Sequence, residues 1–327
     1  MCKEMFIYQI YILLGIILTL VLHPFVLKIL IKLKARQTLR KEGPAEHKFK
    51  EGTPTMGGLS ILIPIIILTL AFSKFSIESI AIILTVIGFM MIGFIDDLLI
   101  VIKGKNDGIR PKVKLALQIL VSILFAVYLI YSGHETVTNI PFTNMSVNLG
   151  LFYIPFIVFV MVAETNAVNL TDGLDGLASG TMAIAIIPFI IMLYFLNSGD
   201  GFTDASIIMG SVCIGSCLGF LWFNSHPASV FMGDTGSLPL GGIISILAIV
   251  SNNELWLIFA GFVFLIEALS VTIQVLYYKK TKKRIFLMSP LHHHFEKLGW
   301  KETKVTARFY LIGIIASLIT VIGSILI

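Results

Sequence analysis

The stretch IAIILTVIGFMMIGFI runs from Ile80 to Ile95 without a charged residue and then meets Asp96-Asp97. Spanning a hydrocarbon layer about 30 Å thick takes roughly 20 mostly apolar residues in a helix, and somewhat fewer when the flanking residues snorkel. A barrel strand would instead alternate over about ten residues, so a continuously apolar run with no edge partner reads as a membrane helix.

Working outward, nine more such runs appear. They are Phe6 to Leu27, Met56 to Phe72, Leu115 to Tyr131, Leu149 to Ala163, Leu177 to Leu196, Ile207 to Phe223, Gly236 to Val250, Leu255 to Tyr277 and Phe309 to Ile327. In chain order the second, fifth and eighth of the ten are short. Composition agrees: 57% of the residues are hydrophobic and 13% charged, more apolar surface than a soluble core needs. Only Lys3 precedes the first run and no small-residue cleavage pattern follows, which favours a retained helix over a removed signal peptide. The expectation is an all-α polytopic membrane protein of about ten transmembrane helices, forming one domain over residues 1–327.

The 24 Lys and Arg orient it. Eight fall from Lys28 to Lys50, five from Lys103 to Lys114 and nine from Lys279 to Arg308, in the loops after the first, third and ninth runs. Lys3 and Lys74 alone fall on the other side. The positive-inside rule makes the basic side cytoplasmic, and an even number of spans then puts both termini outside. The net charge of +5 is accounted for by this bias, without a nucleic-acid surface.

Residues able to do chemistry gather on that same side. The first basic loop ends in Lys50-Glu-Gly-Thr-Pro-Thr55-Met-Gly57-Gly58, and the third run ends in Asp96-Asp97. Loops after the fifth and seventh runs lack Lys and Arg but carry Asn166, Asn169, Asp172, Asp175 and then Asn224, Phe231, Asp234. The last basic loop holds Pro290-Leu-His292-His293-His294-Phe.

Each cluster has a structural and a functional reading. Carboxylates near a helix C-terminus oppose the dipole, so Asp96 and Asp97 call for a cation, either a local partner such as Lys103 or Lys105 or a functional one. Adjacent helical residues point about 100° apart, so the two acids serve different partners. Asp172 or Asp175 could cap the sixth helix, yet four Asx residues at every third position exceed what one cap needs. At the start of the eighth helix Thr235 and Ser237 could cap as well as Asp234, freeing Asp234 for a hard cation. Phe231 is either a buried anchor or a platform for a base. The Gly57-Gly58 segment opens the second helix, where free N–H groups suit an anion and glycines suit close packing. It is not a Walker loop. Three consecutive His lack the spacing of a zinc set and better suit phosphate contact or proton handling. Cys2, Cys213 and Cys217 form no metal pattern, and the last two read as small packing residues.

Acidic residues for Mg²⁺, cations for phosphates and Asn with an aromatic for a nucleoside are the parts of phosphoryl transfer at a lipid boundary. In their order and wording, the segments from Lys50, Asp96-Asp97, Asn169 to Gly176, Phe231-Met-Gly-Asp234-Thr-Gly-Ser and Pro290-Leu-His-His-His-Phe-Glu resemble the phospho-N-acetylmuramoyl-pentapeptide transferase family. That resemblance implies a ten-helix homodimer in the bacterial cytoplasmic membrane, with its active site facing the cytoplasm. It implies transfer of phospho-MurNAc-pentapeptide from UDP-MurNAc-pentapeptide to undecaprenyl phosphate, giving lipid I and UMP, with Mg²⁺ required. It also implies Asp234 as Mg²⁺ ligand, Asp96 and Asp97 as the catalytic pair and His292 as an active-site residue. Asn169, Asp172, Asp175 and Phe231 would form the nucleoside pocket, and Lys50, Thr55, Asn224 and His293 would line the site.

The second pKa of a phosphate monoester lies near about 6, so the lipid acceptor is mostly dianionic at neutral pH and needs little general-base help. Direct in-line attack is therefore expected over a two-step route through an aspartyl-phosphate. Two alternatives remain: a sister transferase that uses UDP-GlcNAc, and a lipid flippase or transporter. A transporter would bury charge at mid-membrane and repeat internally. Only Glu267 lies deep in a span, and no repeat is detected.

Overall fold

The computed structural model describes residues 2–33, 35, 52–104, 107–196 and 200–326, with side chains from residue 6 onward. Thirteen α-helices are α1 (Cys2–Lys32), α2 (Leu59–Phe72), α3 (Ile77–Lys103), α4 (Pro111–Tyr131), α5 (Tyr153–Thr171), α6 (Leu177–Ala185), α7 (Ile187–Leu196), α8 (Gly201–Asn224), α9 (Asp234–Val250), α10 (Leu257–Ala260), α11 (Phe262–Thr281), α12 (Leu291–Lys297) and α13 (Glu302–Ile325). A two-stranded hairpin interrupts the all-helical pattern: β1 (Val137–Asn139) pairs antiparallel with β2 (Ser146–Asn148), Thr138 opposite Val147.

Eight segments are long and apolar enough to cross a membrane, and α2 and α9 are shorter apolar helices. The fifth run, short in the sequence, becomes a segment of 22 residues because helix continues through Asn166 and Asn169. Two expected spans are broken. Pro188 cannot donate an N–H to the preceding turn, and helix stops between α6 and α7 at Ile186. Gly261 separates α10 from α11, and a Cβ there would press on the carbonyl of Leu257.

Helix α3 holds the quoted stretch. Ser76 opens it by accepting the N–H of Ser79 at 3.2 Å, and Gly104 closes it at φ 60° with its N–H on Ile100 O at 3.0 Å. The helix runs past Asp96 and Asp97 to Lys103, so both acids are internal, 7% and 5% exposed.

Helix α9 is the axis of the bundle, buried from Thr235 to Val250. Its neighbours approach closely because small residues meet there. A Cβ on Gly93 of α3 would overlap the carbonyl of Asp234, one on Gly242 would strike the ring of Phe89, and one on Gly58 would overlap Gly236. Helix α8 is nearly as buried and seats α1 through Gly215 and Gly219, with Cys213 and Cys217 packed inside as small hydrophobes.

Candidate active site

One end of the bundle collects the acids. Asp234 is the first residue of α9, after Gly233 at φ 72°. Gly233 is required there: a side chain would run into Asp97 Oδ2 and Thr55 Oγ1. Neither Thr235 nor Ser237 caps α9. The cap comes from α3, where Asp97 Oδ1 accepts the Asp234 N–H at 3.2 Å. Its Oδ2 accepts the Thr235 N–H at 2.9 Å and the Thr235 hydroxyl at 2.6 Å.

Asp96, one residue earlier, turns elsewhere. Its Oδ1 accepts the Ile109 N–H at 2.6 Å, and its Oδ2 lies 3.7 Å from Lys114 Nζ. The two acids thus take different partners, as the helical period requires. Lys114, in the first turn of α4, also donates to Asp234 Oδ2. The compensating cation is therefore Lys114 rather than Lys103, which donates to Asp107 O at 2.9 Å, and Lys105 lies outside the described residues.

Asn169, in the last turn of α5, donates to Asp234 Oδ1 at 2.6 Å and to Ser237 Oγ at 2.9 Å. Asp172 follows the same helix and takes the N–H of Gly233. Burial, with Asp234 and Asp97 nearby, pushes its carboxyl well above the usual carboxylate range. Asp96, Asp97, Asp172, Asp234, Asn169, Thr55 and Lys114 are accordingly one constellation.

A second group stands beside it. Asp175 Oδ2 accepts the Ala228 N–H at 3.1 Å and lies 3.0 Å from His226 Nδ1, which is 3.3 Å from Glu302 Oε2. Glu302 Oε1 accepts the Asp175 N–H at 2.7 Å. Asp175 is thus engaged with the 226–228 loop and α13 rather than capping α6. These three side chains are the close trio of potential metal donors among the described residues, and their sequence separation hid His226 and Glu302. Asn224 ties both loops: Oδ1 accepts the Gly176 N–H at 3.1 Å and Nδ2 donates to Val230 O at 2.8 Å.

The 54–58 segment lies along 231–232. Phe231 N–H donates to Pro54 O at 2.8 Å, Gly57 N–H to Phe231 O at 2.8 Å and Gly58 N–H to Met232 O at 2.9 Å. Those two glycine N–H groups are therefore committed to backbone, and the glycines serve close packing rather than an anion. Phe231 is half-buried. Lys50 lies outside the described residues.

The three His of α12 face three ways. His292 Nδ1 lies 3.2 Å from Glu267 Oε2, His293 Nδ1 lies 2.7 Å from Glu296 Oε2, and His294 Nδ1 accepts the Leu287 N–H at 3.1 Å. No single ion could use all three.

The acidic constellation suits a hard cation. Its donors are carboxylate oxygens, Asp234 offers oxygens on both sides, and Lys114 supplies one positive charge among them. Mg²⁺ is usually held by one or two carboxylates together with substrate phosphates and water, so a dense protein cage is not needed. Chemically, the arrangement can hold a cation beside a diphosphate and keep water-soluble and membrane-borne reactants at one helix end.

Comparison with known proteins gives the same direction. The model of "Glycosyl transferase family 4" matches residues 79–252, and "Phospho-N-acetylmuramoyl-pentapeptide-transferase signature 1" matches residues 50–62. The phospho-N-acetylmuramoyl-pentapeptide-transferase of Halalkalibacterium halodurans is 45% identical over 312 residues, 94% of each chain. Those of Geobacillus sp. and Staphylococcus saprophyticus are 44% and 47% identical, covering 94% and 93% of this chain and 95% of each relative. With helices, acids and signature segment in one arrangement, the chain belongs to the phospho-N-acetylmuramoyl-pentapeptide-transferase family, within glycosyl transferase family 4.

Proposed function

We propose that this enzyme transfers phospho-MurNAc-pentapeptide from its UDP carrier to undecaprenyl phosphate, releasing UMP and leaving lipid I in the membrane. The observation that carries the reading is Asp234, placed at the start of a buried helix and drawn together with Asp96, Asp97, Asp172, Asn169 and Lys114. Ten spans, α2 and α9 included, set this cluster and the basic loops on the cytoplasmic face of the bacterial inner membrane, where UDP-sugars are found. Both termini then lie outside, and the enzyme works as a homodimer.

Asp234 is the proposed Mg²⁺ ligand, with Asp96 on the other side of the shared Lys114. When bound, Mg²⁺ neutralises the diphosphate and the charge that builds on the leaving phosphate. Lys114 keeps Asp96 and Asp234 close and gives the transferring phosphoryl group a cation on its α4 side. Asp97 acts mainly by holding the first turn of α9. Phe231 stacks on uracil, Asn169, Asp172 and Asp175 frame the nucleoside, and Lys50, Thr55, Asn224, His292 and His293 line the site.

The acceptor phosphate attacks in line without a covalent enzyme intermediate. One phosphoanhydride replaces another, so the reaction runs in both directions without ATP. Purified protein given UDP-MurNAc-pentapeptide, undecaprenyl phosphate and Mg²⁺ releases UMP in step with lipid I. UMP plus lipid I regenerates the UDP substrate. Rapid mixing without the lipid acceptor gives no stoichiometric UMP burst; a burst would establish the aspartyl-phosphate route instead, and absence of any lipid product would reject the assignment.

A further inference from the structure

Glu267 is fully buried in α11, and its carboxylate faces the start of α12. Oε1 accepts the backbone N–H of His292 at 3.1 Å, and Oε2 lies 3.2 Å from His292 Nδ1. The other ring nitrogen, Nε2, is buried and has no hydrogen-bond partner among the described residues. It abuts Gly173, where any Cβ would overlap it. Gly173 is itself partly exposed and follows Asp172 in the turn between α5 and α6.

A buried polar atom left unpaired costs about 1–3 kcal/mol, so a native structure that keeps one needs a reason. Here the two nitrogens differ in kind. The backbone N–H of His292 can only donate, which fixes Oε1 as its acceptor. If the carboxylate is ionised, Oε2 also accepts, and Nδ1 must carry the hydrogen. In the neutral ring Nε2 then presents a lone pair beneath the Gly173 turn.

We propose that Glu267 is a positioning residue: it takes Nδ1–H of His292 and so holds Nε2 as the acceptor for an N–H or O–H donor of the bound sugar phosphate. This rests on the transferase reading given above. The buried nitrogen acquires its partner when substrate binds at the partly exposed Gly173 turn, which covers the ring edge with backbone alone. Side chains that orient a working His in this way set which nitrogen faces the reaction, and their loss typically lowers activity about 10- to 100-fold.

An isosteric change reads the hydrogen directly. In Glu267→Gln the amide oxygen must remain on the His292 backbone N–H. The amide NH₂ then faces Nδ1, which has to accept, and the ring hydrogen moves to Nε2. The full-length protein, labelled with ¹⁵N-histidine in detergent and with His292 assigned by His292→Asn, is expected to show Nδ1 protonated and Nε2 bare. Glu267→Gln exchanges the two signals and lowers kcat/KM for the UDP substrate about 10- to 100-fold, because the bound sugar phosphate loses its acceptor. Glu267→Gln added to His292→Ala causes no further loss.

Several results would overturn the proposal. They are a bare Nδ1 or a protonated Nε2 in the unsubstituted protein, an unchanged tautomer or unchanged kcat/KM in Glu267→Gln, or additive losses in the double variant. The first needs no substitution, so a variant that fails to fold does not protect the idea. A chain that makes no lipid-linked product at all sinks the transferase reading instead, and the nitrogen signals still decide where Glu267 puts the hydrogen.

Discussion

Asp97 caps a helix to which it does not belong. From the C-terminal part of α3 its carboxylate accepts the Asp234 N–H and both the N–H and hydroxyl of Thr235, so the first turn of α9 has its end groups satisfied by a neighbour. Asp96, beside it in sequence, holds Ile109 and faces Lys114.

The adjacent acids therefore fail differently when removed. Asp97→Ala strips three hydrogen bonds to a buried carboxyl group and leaves their donors unmet, a loss on the order of 2–4 kcal/mol. Asp96→Ala keeps α9 capped. Thermal unfolding in detergent is expected to drop clearly for Asp97→Ala and much less for Asp96→Ala, while both lose transfer at least about 100-fold. Equal melting temperatures would refute the division of labour.

Close approach at the α3–α9 crossing gives a second prediction. Gly93→Ala pushes a methyl into the carbonyl of Asp234, so it displaces the residue proposed to hold the metal. Overpacking of this kind costs about 1–3 kcal/mol and, at this position, activity as well. Gly104→Ala is the control: its φ of 60° strains a side chain by about 1 kcal/mol, but nothing lies within 4 Å. Transfer rates are expected to fall steeply in the first and to stay within about twofold in the second.

Asn224 braces two loops through both ends of its amide. Asn224→Asp keeps the acceptor for Gly176 but sets a carboxylate oxygen against Val230 O. It is expected to raise KM for the UDP substrate more than it lowers kcat, because Asp175 and Phe231 are spread apart rather than removed. Steady-state kinetics beside Asn224→Ala checks this; an effect on kcat alone would exclude a bracing role.

At the opposite end of the bundle, Glu254 is 2% exposed and burial pushes its carboxyl up to about 7, despite hydrogen bonds from Tyr153 and Thr138 that favour ionisation. The free group titrates near 4.5. The folded state holds the proton more tightly, so this contribution is complete below about pH 4.5 and is lost as pH rises through about 7. The shift corresponds to a term on the order of 3 kcal/mol. Melting temperature measured from pH 5 to 8 is expected to fall less steeply in Glu254→Gln than in the unsubstituted protein. Parallel curves would disprove it.

Much of this architecture can be read from residue order alone. Continuous apolar runs locate the long helices, and the 100° step between neighbours separates Asp96 from Asp97. Other features look alike in one dimension. A helix facing lipid and one facing protein are equally apolar, and only Gly236, Gly241 and Gly242 hinted that α9 is central. Lys114 is indistinguishable from the topology-setting lysines until α4 packs against α3 and α5 and its side chain reaches Asp234. The break before Pro188 is hidden by the hydropathy around it, which reads as one run from Leu177 to Leu196. His226 and Glu302 meet Asp175 across long separations that no local pattern encodes.

The burial of α9 from Thr235 to Val250 also governs how the enzyme experiences its solvent. Exposed Leu13, Leu124 and Leu318 lie on the outer faces of α1, α4 and α13, the kind of face a bilayer covers, and membrane helices in general absorb thickness mismatch by tilting. Asp234 rides on a helix with protein on every side. The proposed metal ligand is thereby mechanically insulated from the bilayer, so membranes of different thickness can host the same catalytic geometry.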